Sequence, residues 1–180
     1  KESGQPIFDA ARDQQQIDLA LTGSKGPLSP ATLGAVLRES NSGARSLVKS
    51  TKVAYLGPPY SYSHQAATIH FGTSVELSPV ATIAAVFEEL GRAHADYGLV
   101  PLENSTDGRV ADTLEMFARL PIRICGEVQL RINHNLMAKC PRNEISEVYS
   151  KPQALSQCRE WLARHLPGVR LVEMTSTAAA

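Results

Sequence analysis

The chain has 180 residues, and its 18 Lys and Arg residues are balanced by 18 Asp and Glu residues, so its formal net charge is zero. A net charge of zero gives no sign of the basic surface that would attract nucleic acids or anionic membranes. No apolar run is long enough to span a bilayer. Three cysteines without Cys-x-x-Cys spacing argue against a disulfide framework and against a zinc site. We therefore predict a cytoplasmic protein that binds neither nucleic acid nor membrane.

Residues 1–50 have a helical pattern. Asp9 is a candidate N-cap for a helix over residues 9–21, and Ser29 followed by Pro30 opens a second helix. Two isolated helices bury too little mutual surface to form a stable domain. We therefore expect a partner helix or a second copy of the chain, which predicts a homodimer.

From residue 52 onwards, short apolar runs alternate with helical segments, which is typical of an α/β sheet. The predicted strands are residues 53–56, 75–77, 97–100, 148–149 and 169–172, and the predicted helices are residues 65–71, 81–91, 110–120 and 154–165. Residues 122–138 contain regularly spaced apolar residues and predict one or two long strands, with His134 at a polar strand edge. The predicted domains are residues 1–50 and 52–180. Because the chain starts at Lys1 and ends where a helix begins, we expect it to be truncated at both ends.

The stretch over residues 97–110 is the best candidate for a site. Its predicted strand ends at Pro101, which has no backbone N–H to donate to a sheet. Polar residues follow before the next helix: Glu103, Asn104, Ser105, Thr106 and Asp107. Open α/β sheets bind ligands at the carboxyl ends of their strands. Glu103 could be an acid, a base, or an acceptor for backbone N–H groups of the following helix.

Two more predicted strands end in polar loops, at residues 61–64 and 150–157. Gln153 and Gln157 are four residues apart and share one face of a predicted helix, whose N-terminal N–H groups suit a carboxylate. A ligand that carries carboxylates is therefore one interpretation. The alternative is ordinary turn chemistry, with Ser150 as a helix cap and His64 as a capping or packing residue. No dinucleotide or phosphate-binding motif is present, and no histidine has metal-ligand spacing, so we expect no cofactor and no metal.

Several motifs resemble a known family. They occupy residues 53–58, 61–64, 100–106, 125–127, 149–158 and 176–177. Through them, residues 53–180 resemble the prephenate dehydratase domain, and residues 1–50 are similar to the later part of a helical chorismate mutase domain. The arrangement is that of the bifunctional family that joins the two activities for phenylalanine biosynthesis.

The resemblance implies an α/β fold with two lobes, like those of periplasmic binding proteins, and an active site in the cleft between them. The substrate would be prephenate, which loses carbon dioxide and hydroxide to give phenylpyruvate. By resemblance, Asn104, Ser150 and Gln157 are catalytic. The residues expected to bind substrate are Glu103, Ser105, Gln153, Ser61, Tyr62, Ser63 and His64.

The mutase part departs from its family pattern. Asp9, Arg12 and Asp13 match an Asp-x-x-Arg-Glu pattern, with aspartate in place of glutamate, while Ala44 and Val48 stand at positions that are usually polar. We therefore expect no mutase activity from this chain. The competing interpretation of the whole chain is a binding module for small carboxylates that lacks catalysis, because the family's Thr-Arg-Phe motif is absent.

Overall fold

A computed structural model describes residues 8–104 and 108–174 of the chain. It divides into two compact units, Lys1–Leu130 and Arg131–Ala180. Within the described residues, no helix is both long and apolar enough to cross a bilayer. The predicted domains, residues 1–50 and 52–180, stay a prediction.

Two N-terminal helices open the first unit, as predicted. Helix α1 (Ala10–Gly23) is capped by Asp9, which accepts a hydrogen bond from the backbone N–H of Arg12 at 3.1 Å. Helix α2 (Pro30–Ser46) has proline in its first turn and is capped by Ser29, which accepts from the N–H of Thr32 at 3.2 Å. Each cap satisfies a backbone donor that the helix itself leaves unpaired. The cap residues therefore determine where both helices begin.

Three parallel strands form the sheet of the first unit in the order β2-β1-β3. They are β1 (Lys52–Leu56), β2 (Glu76–Val80) and β3 (Tyr97–Leu99). Successive side chains of a strand point to opposite faces. Accordingly, Val53 of the central strand packs with α3 (Tyr62–Phe71), and Ala54 packs with α4 (Ile83–Gly91). A strand covered on both faces requires the continuous apolar run that the sequence shows here.

The N-terminal segment and α2 contact α3, β3 and the loop before β2. The Phe8 ring is buried, with its centroid 4.8 Å from that of Phe71 and 5.4 Å from that of Tyr97. On α2, the hydroxyl of Ser42 accepts a hydrogen bond from the N–H of Ser74 at 3.2 Å. The helices thus share the core of the first unit. The expectation that this chain offers them no partner surface was wrong.

The largest difference between the predicted and the observed secondary structure is at residues 122–138. The structure describes every residue of this stretch and places no helix or strand there. Its apolar side chains find little cover, with Ile124 69% and Met137 89% exposed. Strand preference reflects packing against neighbouring strands more than an intrinsic property of the backbone. The predicted long strands were wrong because no strand of the structure pairs with this stretch.

The second unit contains a parallel pair of strands, β6 (Glu147–Ser150) and β7 (Arg170–Glu173), preceded by the short 3-10 helix Arg142–Glu144. The helix predicted over residues 154–165 is present as two helices, α6 (Pro152–Gln157) and α7 (Arg159–His165), which meet at Cys158. The core of the second unit is formed by Leu155, Leu162 and Leu166. The strands predicted at residues 148–149 and 169–172 are confirmed, apart from one or two residues at their ends.

Candidate active site

The first candidate loop follows the carboxyl end of β1. The Ser61 hydroxyl accepts a hydrogen bond from the N–H of His64 at 3.3 Å and so caps α3, and it lies 3.3 Å from the carbonyl oxygen of Leu56. His64 Nδ1 accepts from the N–H of Tyr60 at 3.2 Å, and its ring lies 5.3 Å from that of Tyr55. Both polar side chains therefore have capping and packing contacts. The expected ligand contacts of residues 61–64 stay a prediction.

The second candidate loop follows β3, which ends before Pro101 as predicted. Beyond the proline, β4 (Glu103–Asn104) pairs antiparallel with β5 (Gly108–Arg109), a short hairpin that the sequence did not predict. Glu103 lies opposite Arg109 in this pair and its side chain is exposed. Ser105 and Thr106 lie outside the described residues. Backbone pairing of β4 with β5 therefore places Glu103 and Asn104.

Helix α5 (Ala111–Arg119) follows β5 and is hydrogen-bonded to Pro101, beyond the end of β3. Thr113 is fully buried, and its hydroxyl donates to the carbonyl oxygen of Pro101 at 2.7 Å. The helix begins after Val110, without a side-chain cap. The three possible roles of Glu103 stay predictions.

The third candidate loop joins β6 to α6 in the second unit. Ser150 is the last residue of β6, and Lys151 occupies the cap position of α6 without a side-chain hydrogen bond to the helix. The alternative that Ser150 serves as the helix cap was therefore wrong. A surface depression beside it is lined by Lys151, Pro152, Glu173 and Met174. Ser150 stands at the end of a strand, where α/β proteins place groups that contact ligands.

Gln157 on α6 has a partner that the sequence did not reveal. Its side-chain oxygen lies 2.5 Å from Nε2 of His134, although 23 residues separate the two. Because residues 131–138 form no strand, the predicted position of His134 at a strand edge was wrong. The only signal in the sequence was a histidine between two asparagines in an otherwise apolar stretch. Gln153 shares α6 with Gln157, as predicted.

The residues expected from a mutase have structural contacts in the first unit. Asp9 caps α1, and Asp13 forms an ion pair with Arg45 of α2. Arg45 also donates to the carbonyl oxygen of Phe71 at 3.0 Å. Burial next to this pair lowers the pKa of His70, and the nearby charge of Asp13 acts in the opposite direction.

We found no site suited to a metal in residues 8–104 and 108–174, where no three His, Cys, Asp or Glu side chains lie together. The three cysteines, Cys125, Cys140 and Cys158, are free thiols. The predicted site residues Ser150 and Gln157 of the second unit carry a hydroxyl and an amide, both neutral groups.

An α/β fold with polar groups at several strand ends is typical of proteins that bind small polar molecules. Residues 53–180 match the family model described as prephenate dehydratase. The chain belongs to the prephenate dehydratase family. Among the candidate residues, Asn104, Ser150 and Gln157 all lie within the matched range.

Relatives of this chain carry a bifunctional name. Over 159 residues it is 43% identical to the bifunctional chorismate mutase/prephenate dehydratase of Stutzerimonas stutzeri, covering 87% of this chain and 44% of that protein. Over 180 residues it is 40% identical to the protein of the same name from Aquifex aeolicus strain VF5, covering 97% of this chain and 50% of that protein. The chain spans about half the length of the curated relatives it matches.

A solved structure shares the fold. It is the prephenate dehydratase of Arthrobacter aurescens in complex with L-Phe, which aligns with a TM-score of 0.54 and 25% sequence identity. The alignment covers 72% of this chain and 44% of that chain. The mixed α/β architecture with parallel strands is therefore that of a prephenate dehydratase.

Proposed function

We propose that this chain carries prephenate dehydratase activity and converts prephenate to phenylpyruvate. The observation that carries the proposal is the family match over residues 53–180, which includes all three expected catalytic residues. In the reaction, the bond to the ring carboxylate breaks to release carbon dioxide, and its electron pair completes the aromatic ring as hydroxide departs. The hydroxide takes up a proton and leaves as water.

The polar groups of the candidate site suit this chemistry. Negative charge moves from the carboxylate to the departing hydroxyl, and fixed hydrogen-bond donors stabilise charge best where it develops. Ser150, at the end of β6, and Gln157, on α6, belong to the second unit and can supply such donors. Asn104 in β4 belongs to the first unit. The assignment of catalytic and substrate-binding roles to these residues is part of the proposal, as is a two-lobed fold.

Mutase activity is not part of the proposal. Chorismate carries two carboxylates, which cations must bind, and Asp13 of the expected mutase pattern is occupied by Arg45. We further propose that the protein is cytoplasmic and forms a homodimer through its N-terminal helices. The support for the dimer is that apolar side chains in these helices or directly after α2 remain exposed, namely Leu19, Val36, Leu47 and Val48.

The test measures phenylpyruvate formed from prephenate by the full-length product of the gene that encodes this sequence. We expect turnover, and we expect Ser150→Ala to lower kcat on the order of 100-fold, the usual loss for one donor aimed at developing charge. Ser156→Ala is the matched control, because this exposed serine lies one residue before Gln157 on the same helix. Prephenate binding without turnover would establish the competing function, a non-catalytic carboxylate-binding module. If the protein shows no prephenate binding and no turnover, both functions are refuted.

A further inference from the structure

His134 stands apart from the residues expected to act on substrate, yet it contacts one of them. It lies in an exposed part of the chain, residues 131–138, that forms neither helix nor strand, while Gln157 is the last residue of α6 and half-buried. The two side chains meet with Nε2 of the imidazole 2.5 Å from Oε1 of the amide. Both residues belong to the second unit. Their contact therefore connects the exposed segment to an expected catalytic group.

The chemistry of the two atoms determines the direction of the hydrogen bond. An amide oxygen has lone pairs and no hydrogen, so it can only accept. Nε2 of His134 must then carry the hydrogen, as it does in the Nε2–H tautomer of a neutral imidazole. In return, the bond fixes which end of the Gln157 amide faces His134. The amide NH2 group remains as a donor for a ligand.

We propose that His134 is a positioning residue for Gln157, holding its amide oxygen so that its NH2 group serves as the hydrogen-bond donor to substrate. This inference rests on the proposed dehydratase function, because it gives Gln157 a fixed polarity in that reaction. A glutamine whose amide can rotate presents either an oxygen or an NH2 group. Only the NH2 group can donate to a departing hydroxyl or to a carboxylate, so the contact selects the useful orientation before substrate binds.

The alternative is a contact that only tethers the exposed segment to α6. A tether would affect the stability of the second unit, but it would not require a particular tautomer or alter kcat through the loss of one donor. Two substitutions separate these possibilities. His134→Leu removes the donor, whereas His134→Gln retains an N–H donor on a flexible side chain. Asn135→Ala is the matched control, since it alters an exposed polar neighbour of His134.

The first measurement is turnover of prephenate by the full-length protein. Misplacement of a reacting group costs on the order of 10- to 100-fold in rate, so we expect His134→Leu to lower kcat by that factor with little change in KM. His134→Gln should recover most of the rate, and Asn135→Ala should match the unsubstituted protein. The proposal is overturned if His134→Leu keeps the original kcat, or if His134→Gln is as slow as His134→Leu.

The second measurement needs no substrate. Nitrogen NMR of protein labelled at histidine, recorded at about pH 8 where imidazole is neutral, reports which ring nitrogen carries the hydrogen. We expect the Nε2–H form for His134, with the preference reduced by Gln157→Ala. A dominant Nδ1–H form would overturn the proposal even in an active enzyme. If the full-length protein shows no turnover, the positioning role fails with the function. An Nε2–H preference that Gln157→Ala reduces would then show that the contact is present and that the proposed function is wrong.

Discussion

Gly98 lies at the centre of β3, and its missing side chain allows helix α4 to approach the sheet. A Cβ atom added at this position would lie 2.8 Å from Cδ1 of Leu90 and 2.8 Å from Cγ1 of Val86, both on α4. Carbon atoms in contact prefer about 3.5–4.0 Å. Val86 is buried and stiff at its first side-chain torsion, so it cannot rotate away freely. Gly98→Ala must therefore displace α4 or force its side chains off their rotamers.

Inserting a methyl group into a packed core costs about 1–3 kcal/mol. With a urea dependence of about 2 kcal/mol per molar, we expect the unfolding midpoint of Gly98→Ala to fall by about 0.5–1.5 M. Circular dichroism at increasing urea concentrations measures this midpoint. Because β3 leads directly into β4, we also expect a loss of dehydratase activity.

Gly91→Ala is the control, at the last residue of α4 and with no atom within 4 Å of the added Cβ. Alanine is favoured over glycine in helices by up to about 1 kcal/mol, so this variant should be as stable as the original or more stable. An unchanged midpoint for Gly98→Ala, with Gly91→Ala behaving as expected, would refute the close packing of α4 against β3.

Substitutions at three more positions test local features of the first unit. Ala93 follows α4 with a φ of 57° in a C-terminal cap that glycine usually occupies, so Ala93→Gly should raise the free energy of unfolding by roughly 1 kcal/mol, measured in urea. Thr113→Val should lower it by about 1–3 kcal/mol, because it removes the donor to the Pro101 carbonyl at nearly constant volume, whereas Thr113→Ser should retain the bond. Burial acts to raise the pKa of Asp96, but hydrogen bonds from Lys49 and from a backbone N–H of β1 outweigh it and hold this pKa below its usual value. The resulting stability is present above about pH 4 and is lost as the pH falls through the folded-state pKa. Asp96→Asn should therefore lose less stability on acidification than the unsubstituted chain, and an equal loss would contradict this assignment.

Local signals in the sequence predicted much of the fold. Ser29 with Pro30 predicted the start of α2, because a serine cap and a first-turn proline act within a few residues of one another. The apolar run at residues 53–56 predicted β1 for a similar reason, since a strand buried on both faces needs apolar residues at every position. Such features depend on neighbouring residues alone.

Features that depend on distant residues could not be predicted. Residues 122–138 have the composition of a strand, but a strand forms only where another strand offers its edge, and that information is not local. The division between α6 and α7 at Cys158 also has no glycine or proline to mark it.

In the candidate site, too, local features could be predicted and contacts between distant residues could not. Ser150 and Glu103 could be placed near strand ends because short apolar runs precede them. The contact between His134 and Gln157 could not be inferred, since it joins residues far apart in sequence and one of them lies in the stretch that was wrongly predicted as a strand.

The contacts of Arg45 indicate that the N-terminal helices stabilise the first unit. Its guanidinium pairs with Asp13, donates to the Phe71 carbonyl, and lies 5.0 Å from the centre of the Phe8 ring. Both partners of the ion pair are largely buried, and a buried charge that loses its partner is strongly destabilising. If Asp13 faced a substrate, as the resemblance to a mutase implies, Arg45 would lose this partner. The same contacts join α1 and α2 to α3, so the helices contribute to the core of the first unit whether or not they retain a catalytic role.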